Sequence, residues 1–131
     1  MDFQLLVNEA FRASQNAYAP YSKFYVGACV LVEDGTLIYG ANIENAAYGS
    51  SMCAERNAIY QVYCRGYHKE DIKALAIVAD CKPLISPCGA CRQVLAELLN
   101  KDTPIILGCK DYFKVTTIEE LLPHAFIGEC L

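Results

Sequence analysis

Two short cysteine-bearing segments constrain this chain more than anything else in it: Cys53-Ala54-Glu55-Arg56 and Ser86-Pro87-Cys88-Gly89-Ala90-Cys91-Arg92. At the start of a helix, cysteines at i and i+3 lie on one face, so Cys88 and Cys91 form a pair, while Cys53 arrives from another helix start. Any fold that gathers all of them must bring two helix N-termini together. A structural zinc site is normally closed by four protein ligands, whereas a catalytic one has three and keeps the last position for water. These segments offer three cysteines and a spare acid, Glu55.

A metal is the expected use of those thiols. Eight cysteines among 131 residues would suit a disulfide framework in a secreted protein. The start, Met1-Asp2-Phe3-Gln4, turns amphipathic without the basic stretch and small-residue cleavage site of an export signal, which points to a cytoplasmic location. In that reducing setting clustered cysteines bind metal more often than they pair. The scattered ones, Cys29, Cys64, Cys81, Cys109 and Cys130, are expected as small buried apolar fillers.

Helical spacing of Phe3, Leu6, Val7, Ala10, Phe11 and Ser14 predicts an amphipathic first helix over 3–15, which Tyr18-Ala19-Pro20-Tyr21-Ser22 then breaks. Val26 to Val32 is an apolar run ending in Glu33-Asp34-Gly35, and Asp-Gly ahead of a second run, Thr36 to Ala41, predicts an antiparallel hairpin. A second helix is expected over 52–64 with Ala58, Ile59 and Val62 inward, and Ala74 to Ala79 reads as a strand buried on both faces. Ser86 is expected to cap a third helix with Pro87 in its first position, and Cys91, Val94, Leu95, Leu98 and Leu99 mark its buried face. Ile105 to Cys109 and Phe113 to Thr116 read as strands, and Ile118 to Leu122 as a last turn or two of helix.

Helices alternating with strands after an opening hairpin imply an α/β protein, with a mixed sheet, helices on its faces and parallel neighbours in its second half. The length is that of one domain. Ligands in such sheets sit beyond the strand ends, where helix N-termini also point. Both cysteine segments fall at such N-termini, where the positive dipole end lowers a thiol's pKa and favours metal binding.

Charge narrows the partners. With 11 basic against 15 acidic residues, a net charge of −4 and a pI near 5.1, the chain is poorly suited to gripping phosphates, so no nucleic-acid partner is expected. Hydrophobic residues reach 54% and mean hydropathy is +0.20, yet no apolar run approaches the roughly 18 residues that span a bilayer. No membrane partner is expected, and the apolar excess suggests contacts between subunits. A small neutral ligand fits best.

Cys-Ala-Glu-Arg at 53–56 and Pro-Cys-Gly-Ala-Cys-Arg at 87–92, together with Val26-Gly27-Ala28, Asn42-Ile43-Glu44-Asn45-Ala46, Tyr48, Leu121-Leu122-Pro123 and Phe126, resemble the zinc-dependent cytidine deaminase family in its small single-domain form. The resemblance covers nearly the whole chain. It implies one domain over 1–131 with a three-layer αβα cytidine deaminase-like fold, a mixed five-stranded sheet carrying helices on both faces. It implies that Cys53, Cys88 and Cys91 hold one zinc per subunit, with water or hydroxide in the remaining position. Glu55 would be the catalytic group, taking a proton from that water, passing it to the ring nitrogen and later protonating the leaving ammonia. Cys53 and Glu55 would point almost oppositely in mid-helix and can converge only around the helix's open end.

The same resemblance assigns Arg56 to hydrogen bonds on the thiolates, whose charge exceeds that of a divalent ion. Arg92 stays open between similar work and a solvated helix position. Asn42 and Glu44, spaced to face one side of a strand end, would meet a ribose hydroxyl. Phe24 would flank the base and Ala54 would give a backbone contact to its edge. Ala46, Tyr48 and Phe126 would complete a neighbouring subunit's pocket in a homotetramer; without the family, Tyr48 and Phe126 read as core. His68 and His124 have no motif around them and read as surface residues.

The activity implied is hydrolytic deamination of cytidine and deoxycytidine to uridine and deoxyuridine with release of ammonia, a step of pyrimidine salvage. Glu44 should reject a 3′-phosphate, because like charges about 4 Å apart repel by about 4 kcal/mol at an effective dielectric near 20. One alternative is a deaminase of another cytosine nucleoside such as blasticidin S, against which the fit of Glu44 to a ribose-like diol speaks. The other is a non-catalytic zinc-stabilised module, which needs another protein ligand; Cys81 is the nearest candidate.

Overall fold

Asp2 accepts a hydrogen bond from the Leu5 N–H at 3.0 Å and so starts the first helix, α1 (Phe3–Ser14), whose Leu6, Val7, Ala10 and Ala13 are buried. The chain, described over residues 1–131 by a computed structural model apart from the side chain of Cys130, continues through β1 (Val26–Val32), β2 (Leu37–Ala41) and α2 (Ala54–Cys64). Then come β3 (Ile72–Ala79), α3 (Gly89–Leu98), β4 (Ile105–Gly108), β5 (Phe113–Thr116) and α4 (Ile118–Leu121). The hairpin turns at Gly35, whose φ of +90° is the left-handed conformation that glycine takes without strain. Its loop is longer than a two-residue turn, because the Asp34 carboxylate accepts the Thr36 N–H at 2.9 Å and delays β2 until Leu37.

One five-stranded sheet results, in the order β2-β1-β3-β4-β5. β1 runs antiparallel to both β2 and β3, β3 parallel to β4, and β4 antiparallel to β5, the mixed sheet with a parallel pair in its second half. Strand alternation sorts the core into two layers. Val26, Ala28, Val30 and Val32 join Leu75, Ile77, Ile105 and Leu107 under α2 and α3, while Cys29, Ala74, Ala76, Val78 and Ile106 face α1. Burial on both faces is why β1 and β3 read as continuous apolar runs.

Two glycines let the helices seat directly on backbone. A Cβ on Gly27 would stand 1.9 Å from the Ala10 carbonyl oxygen of α1, and one on Gly40 would stand 2.4 Å from the Ala54 carbonyl oxygen of α2. α1 and the start of α2 are thus pressed on opposite faces of the same strand pair. The register brings Val26 beside Ala79, Gly27 beside Ala41 and Val78 beside Gly108, so the C-terminal ends of β2, β3 and β4 share one rim of the sheet with the start of β1.

Several expectations need correction. α3 does not begin at Pro87 with Ser86 as its cap: Cys88 is the N-cap residue, held extended at φ −66°, ψ 169°, and the first helical bond runs from the Arg92 N–H to the Cys88 carbonyl. α2 likewise begins after Cys53, two residues later than expected. Of the scattered cysteines, Cys29 and Cys109 are buried as expected, but Cys81 is half-buried and Cys64 lies exposed on the outer face of α2; the side chain of Cys130 falls outside the described structure. Tyr48 and Phe126 are 74% and 59% exposed and belong to no core. His68 and His124 are on the surface.

Candidate active site

Both cysteine segments meet at that rim, and each enters a helix in the same way. Cys53 is the N-cap of α2 (φ −76°, ψ 152°) and Cys88 the N-cap of α3, with Cys91 one turn inside; neither cap uses a side-chain hydrogen bond, so both sulfurs are free to point at a shared centre. The Cys53 and Cys88 sulfurs lie 3.9 Å apart and those of Cys88 and Cys91 3.5 Å apart. A tetrahedral zinc with bonds of about 2.3 Å requires sulfurs about 3.8 Å from one another. The donor set therefore fits zinc in spacing as well as in chemistry. Among the described residues the metal-competent cluster is Cys53, Cys88 and Cys91. Cys81 is outside it, its thiol donating to the Pro83 carbonyl at 3.5 Å, so the closed four-ligand arrangement is not formed.

Arg56, one helical turn after Cys53, donates from Nη2 to the Cys53 sulfur at 3.5 Å. Its Nε is buried without a hydrogen-bond partner, a vacancy that a nearby thiolate, anionic when a metal is held, would fill. Sharing of a proton with Cys91, with the Arg56 guanidinium behind it, pulls the Cys53 thiol well below the ordinary range, and the same contact pushes Cys91 up.

Glu55 sits in the first turn of α2, 5% exposed. Burial pushes its carboxyl above the usual carboxylate range, and the charge of Cys53 adds to that. With Cys53 on the cap and Glu55 just inside, the two converge around the open end of the helix, the arrangement that mid-helix spacing forbids.

The cluster opens into a cavity of about 490 Å³, lined among others by Phe24, Asn42, Glu44, Tyr48, Ala54 and Glu55. Such a volume suits a small molecule. Asn42 and Glu44 do face one side, but both are already engaged: the Asn42 side chain accepts from the Val26 N–H at 2.9 Å and donates to the Phe24 carbonyl at 2.8 Å. Glu44 accepts from the Tyr21 and Ser22 N–H groups at 3.1 Å each and from the Ser22 hydroxyl, bonds that hold its carboxyl below the usual range, the hydroxyl foremost. Ala46 and Phe126 do not line this cavity; Ala46 is exposed, and the Phe126 carbonyl accepts from Gln93 Nε2 at 3.0 Å. Tyr48 lies at the cavity of its own chain, edge-on to Tyr21 with ring centres 6.3 Å apart.

Arg92 is half-buried and bonds to carbonyl and hydroxyl oxygens instead of sulfur. It donates to the Pro87 carbonyl at 2.7 Å, the Ser86 hydroxyl at 2.6 Å and the Leu121 carbonyl at 2.6 Å, tying the loop before Cys88 to the end of α4. Sequence reasoning missed this role, and Ser22 altogether, because their partners lie 29 and 22 residues away and leave no local pattern.

Cysteines on two helix starts beside a glutamate that is not itself a ligand are the apparatus of the zinc deaminases, and that is the class the fold and the cluster define. Residues 2–107 match the family model described as the cytidine and deoxycytidylate deaminase zinc-binding region. A cytidine deaminase of Halalkalibacterium halodurans is 51% identical over 98% of this chain and 97% of its own length, and one of Sporosarcina psychrophila is 48% identical over 100% and 96%. The crystal structure of cytidine deaminase from Burkholderia pseudomallei superposes with a TM-score of 0.92 at 41% identity, covering 96% of this chain and all of that one. The chain belongs to the cytidine deaminase family.

Proposed function

We propose that residues 1–131 act as a single deaminase domain that hydrolyses cytidine and deoxycytidine to uridine and deoxyuridine, releasing ammonia. The observation that carries this reading is the three-sulfur cluster left open toward a cavity, with a buried acid beside it. Cys53, Cys88 and Cys91 would hold one zinc. Bound zinc supplies Lewis acidity, which lowers the pKa of water from 15.7 to about 7. Three thiolates outweigh a divalent ion by one negative charge, and Arg56 offsets it from the Cys53 side.

Glu55 is the proton carrier. Burial raises its carboxyl above the usual carboxylate range, which suits it to hold and release a proton: it takes one from the attacking water and delivers it to the base's ring nitrogen, then takes the second proton of the added oxygen and passes it to the departing amine. Phe24 flanks the base, the Ala54 backbone at the helix start meets its edge, and Asn42 and Glu44 receive the sugar. Ala46, Tyr48 and Phe126 serve a neighbouring subunit in a homotetramer, a role that their exposure in the single chain supports. No helix is long and apolar enough to cross a membrane, and a cytoplasmic salvage role suits a free nucleoside substrate.

The test measures bound zinc and cytidine-dependent ammonia release on one purified sample. About one zinc per chain and one ammonia per uridine formed are expected. Cytidine 3′-phosphate and single-stranded DNA or RNA should be used at least about a hundredfold less efficiently, since Glu44 repels a phosphate by several kcal/mol. A zinc-loaded sample that releases no ammonia from either nucleoside overturns the assignment, and equal efficiency on an oligonucleotide overturns the nucleoside specificity.

A further inference from the structure

The segment between α1 and β1 carries Phe24 into the cavity without any regular structure of its own, so something else must place that ring. Both backbone groups of Phe24 are held from the sugar side of the site. Its N–H donates to the Ser22 hydroxyl oxygen at 3.0 Å, and its carbonyl accepts from Asn42 Nδ2 at 2.8 Å. The Ser22 hydroxyl in turn donates to Glu44 Oε2. One chain of hydrogen bonds thus runs from the Phe24 backbone through Ser22 to the carboxylate.

A carboxylate offers about four acceptor positions. On Glu44, Oε1 takes the Tyr21 and Ser22 N–H groups, and Oε2 takes only the Ser22 hydroxyl. The remaining position is on Oε2, where the Ser22 hydroxyl is the donor; the two oxygens turn together about the terminal torsion, and Ser22, with its N–H on Oε1 and its hydroxyl on Oε2, makes two of the three bonds that hold the carboxylate.

We propose that Ser22 is a positioning residue for the reaction: its hydroxyl locks Glu44 Oε2 to receive a sugar hydroxyl and, through the Phe24 N–H, sets the base-flanking ring in the same act. This rests on the reading of Glu44 as the sugar contact. The site then recognises base and sugar as one unit, because the group that aims the carboxylate also anchors the aromatic loop.

The experiment compares kcat/KM for cytidine and for 3′-deoxycytidine, which differ by the single hydroxyl that Oε2 would read, in zinc-loaded wild type, Ser22→Ala and Ser22→Thr. Loosening of Phe24 affects both substrates alike and cancels in the ratio, so only the aim of Glu44 moves it. Loss of a hydrogen bond to a charged group typically amounts to about tenfold or more. Ser22→Ala should therefore shrink the wild-type preference for cytidine about tenfold, mostly through KM, with zinc content unchanged, and Ser22→Thr should keep most of the preference because it retains the hydroxyl. An unchanged ratio in a zinc-loaded Ser22→Ala enzyme, or a threonine variant that loses the preference as fully as alanine does, overturns the proposal. A wild type that shows no preference between the two nucleosides overturns the sugar reading of Glu44 itself, and Ser22's role with it.

Discussion

Replacing Arg92 with methionine removes a three-way tie while keeping most of the side chain's length. The guanidinium holds the Pro87 and Leu121 carbonyls and the Ser86 hydroxyl at 2.6 to 2.7 Å. A hydrogen bond to a charged group contributes about 1.5–3 kcal/mol, and half-burial places these at or below the lower end, so the set is worth roughly 3–4 kcal/mol. For a domain of this size about 1 kcal/mol corresponds to a few degrees, which puts the fall in Tm at roughly 10–15 °C by calorimetry of the zinc-loaded protein. The same loss frees Ser86 and Pro87, which lead directly into Cys88, so zinc should pass to a competing chelator about 10- to 100-fold more readily. Arg92→Lys keeps the charge but has no planar fork to reach partners on two sides, and should recover less than half of the loss. A methionine variant that melts within about 2 °C of wild type and keeps its zinc equally well would refute the tie, since no smaller loss is consistent with those bonds.

Glu55→Gln should fold and hold zinc while turnover of cytidine falls by at least about a hundred- to ten-thousandfold, measured as ammonia release; near-normal turnover excludes it as the proton carrier. Cys53→Ala, Cys88→Ala and Cys91→Ala should each lose zinc by metal analysis, whereas Cys81→Ser, whose thiol reaches only the Pro83 carbonyl, should keep zinc and activity. Gly27→Ala should lower stability by several kcal/mol in denaturant titration, because its Cβ would stand 1.9 Å from the Ala10 carbonyl oxygen and α1 must lift off the sheet to admit it; a loss under about 1 kcal/mol would mean that α1 is not seated there.

Local pattern was enough for much of this protein. The stripes of α1 and α2, the apolar runs of β1 and β3 and the Asp34-Gly35 turn are written in neighbouring residues, because burial on one helix face or on both faces of a strand imposes a short period. The motif cysteines were legible for the same reason: each segment is contiguous and opens a helix. Pairings across the chain were not. That Gly27 and Gly40 admit helices to opposite faces, that Arg92 reaches Leu121, and that Glu44 is shared with Ser22 follow from strand register and helix docking. Even the start of α3 was misplaced from sequence. Ser86 and Pro87 carry the composition of a helix cap, yet here they lead into the metal loop, and Ser86 accepts its hydrogen bond from Arg92. The competitor for the Ser86 oxygen is Arg92 on α3 itself, but its guanidinium is also held by the Leu121 carbonyl at the end of α4, a partner 29 residues away that only the docking of α4 on α3 supplies.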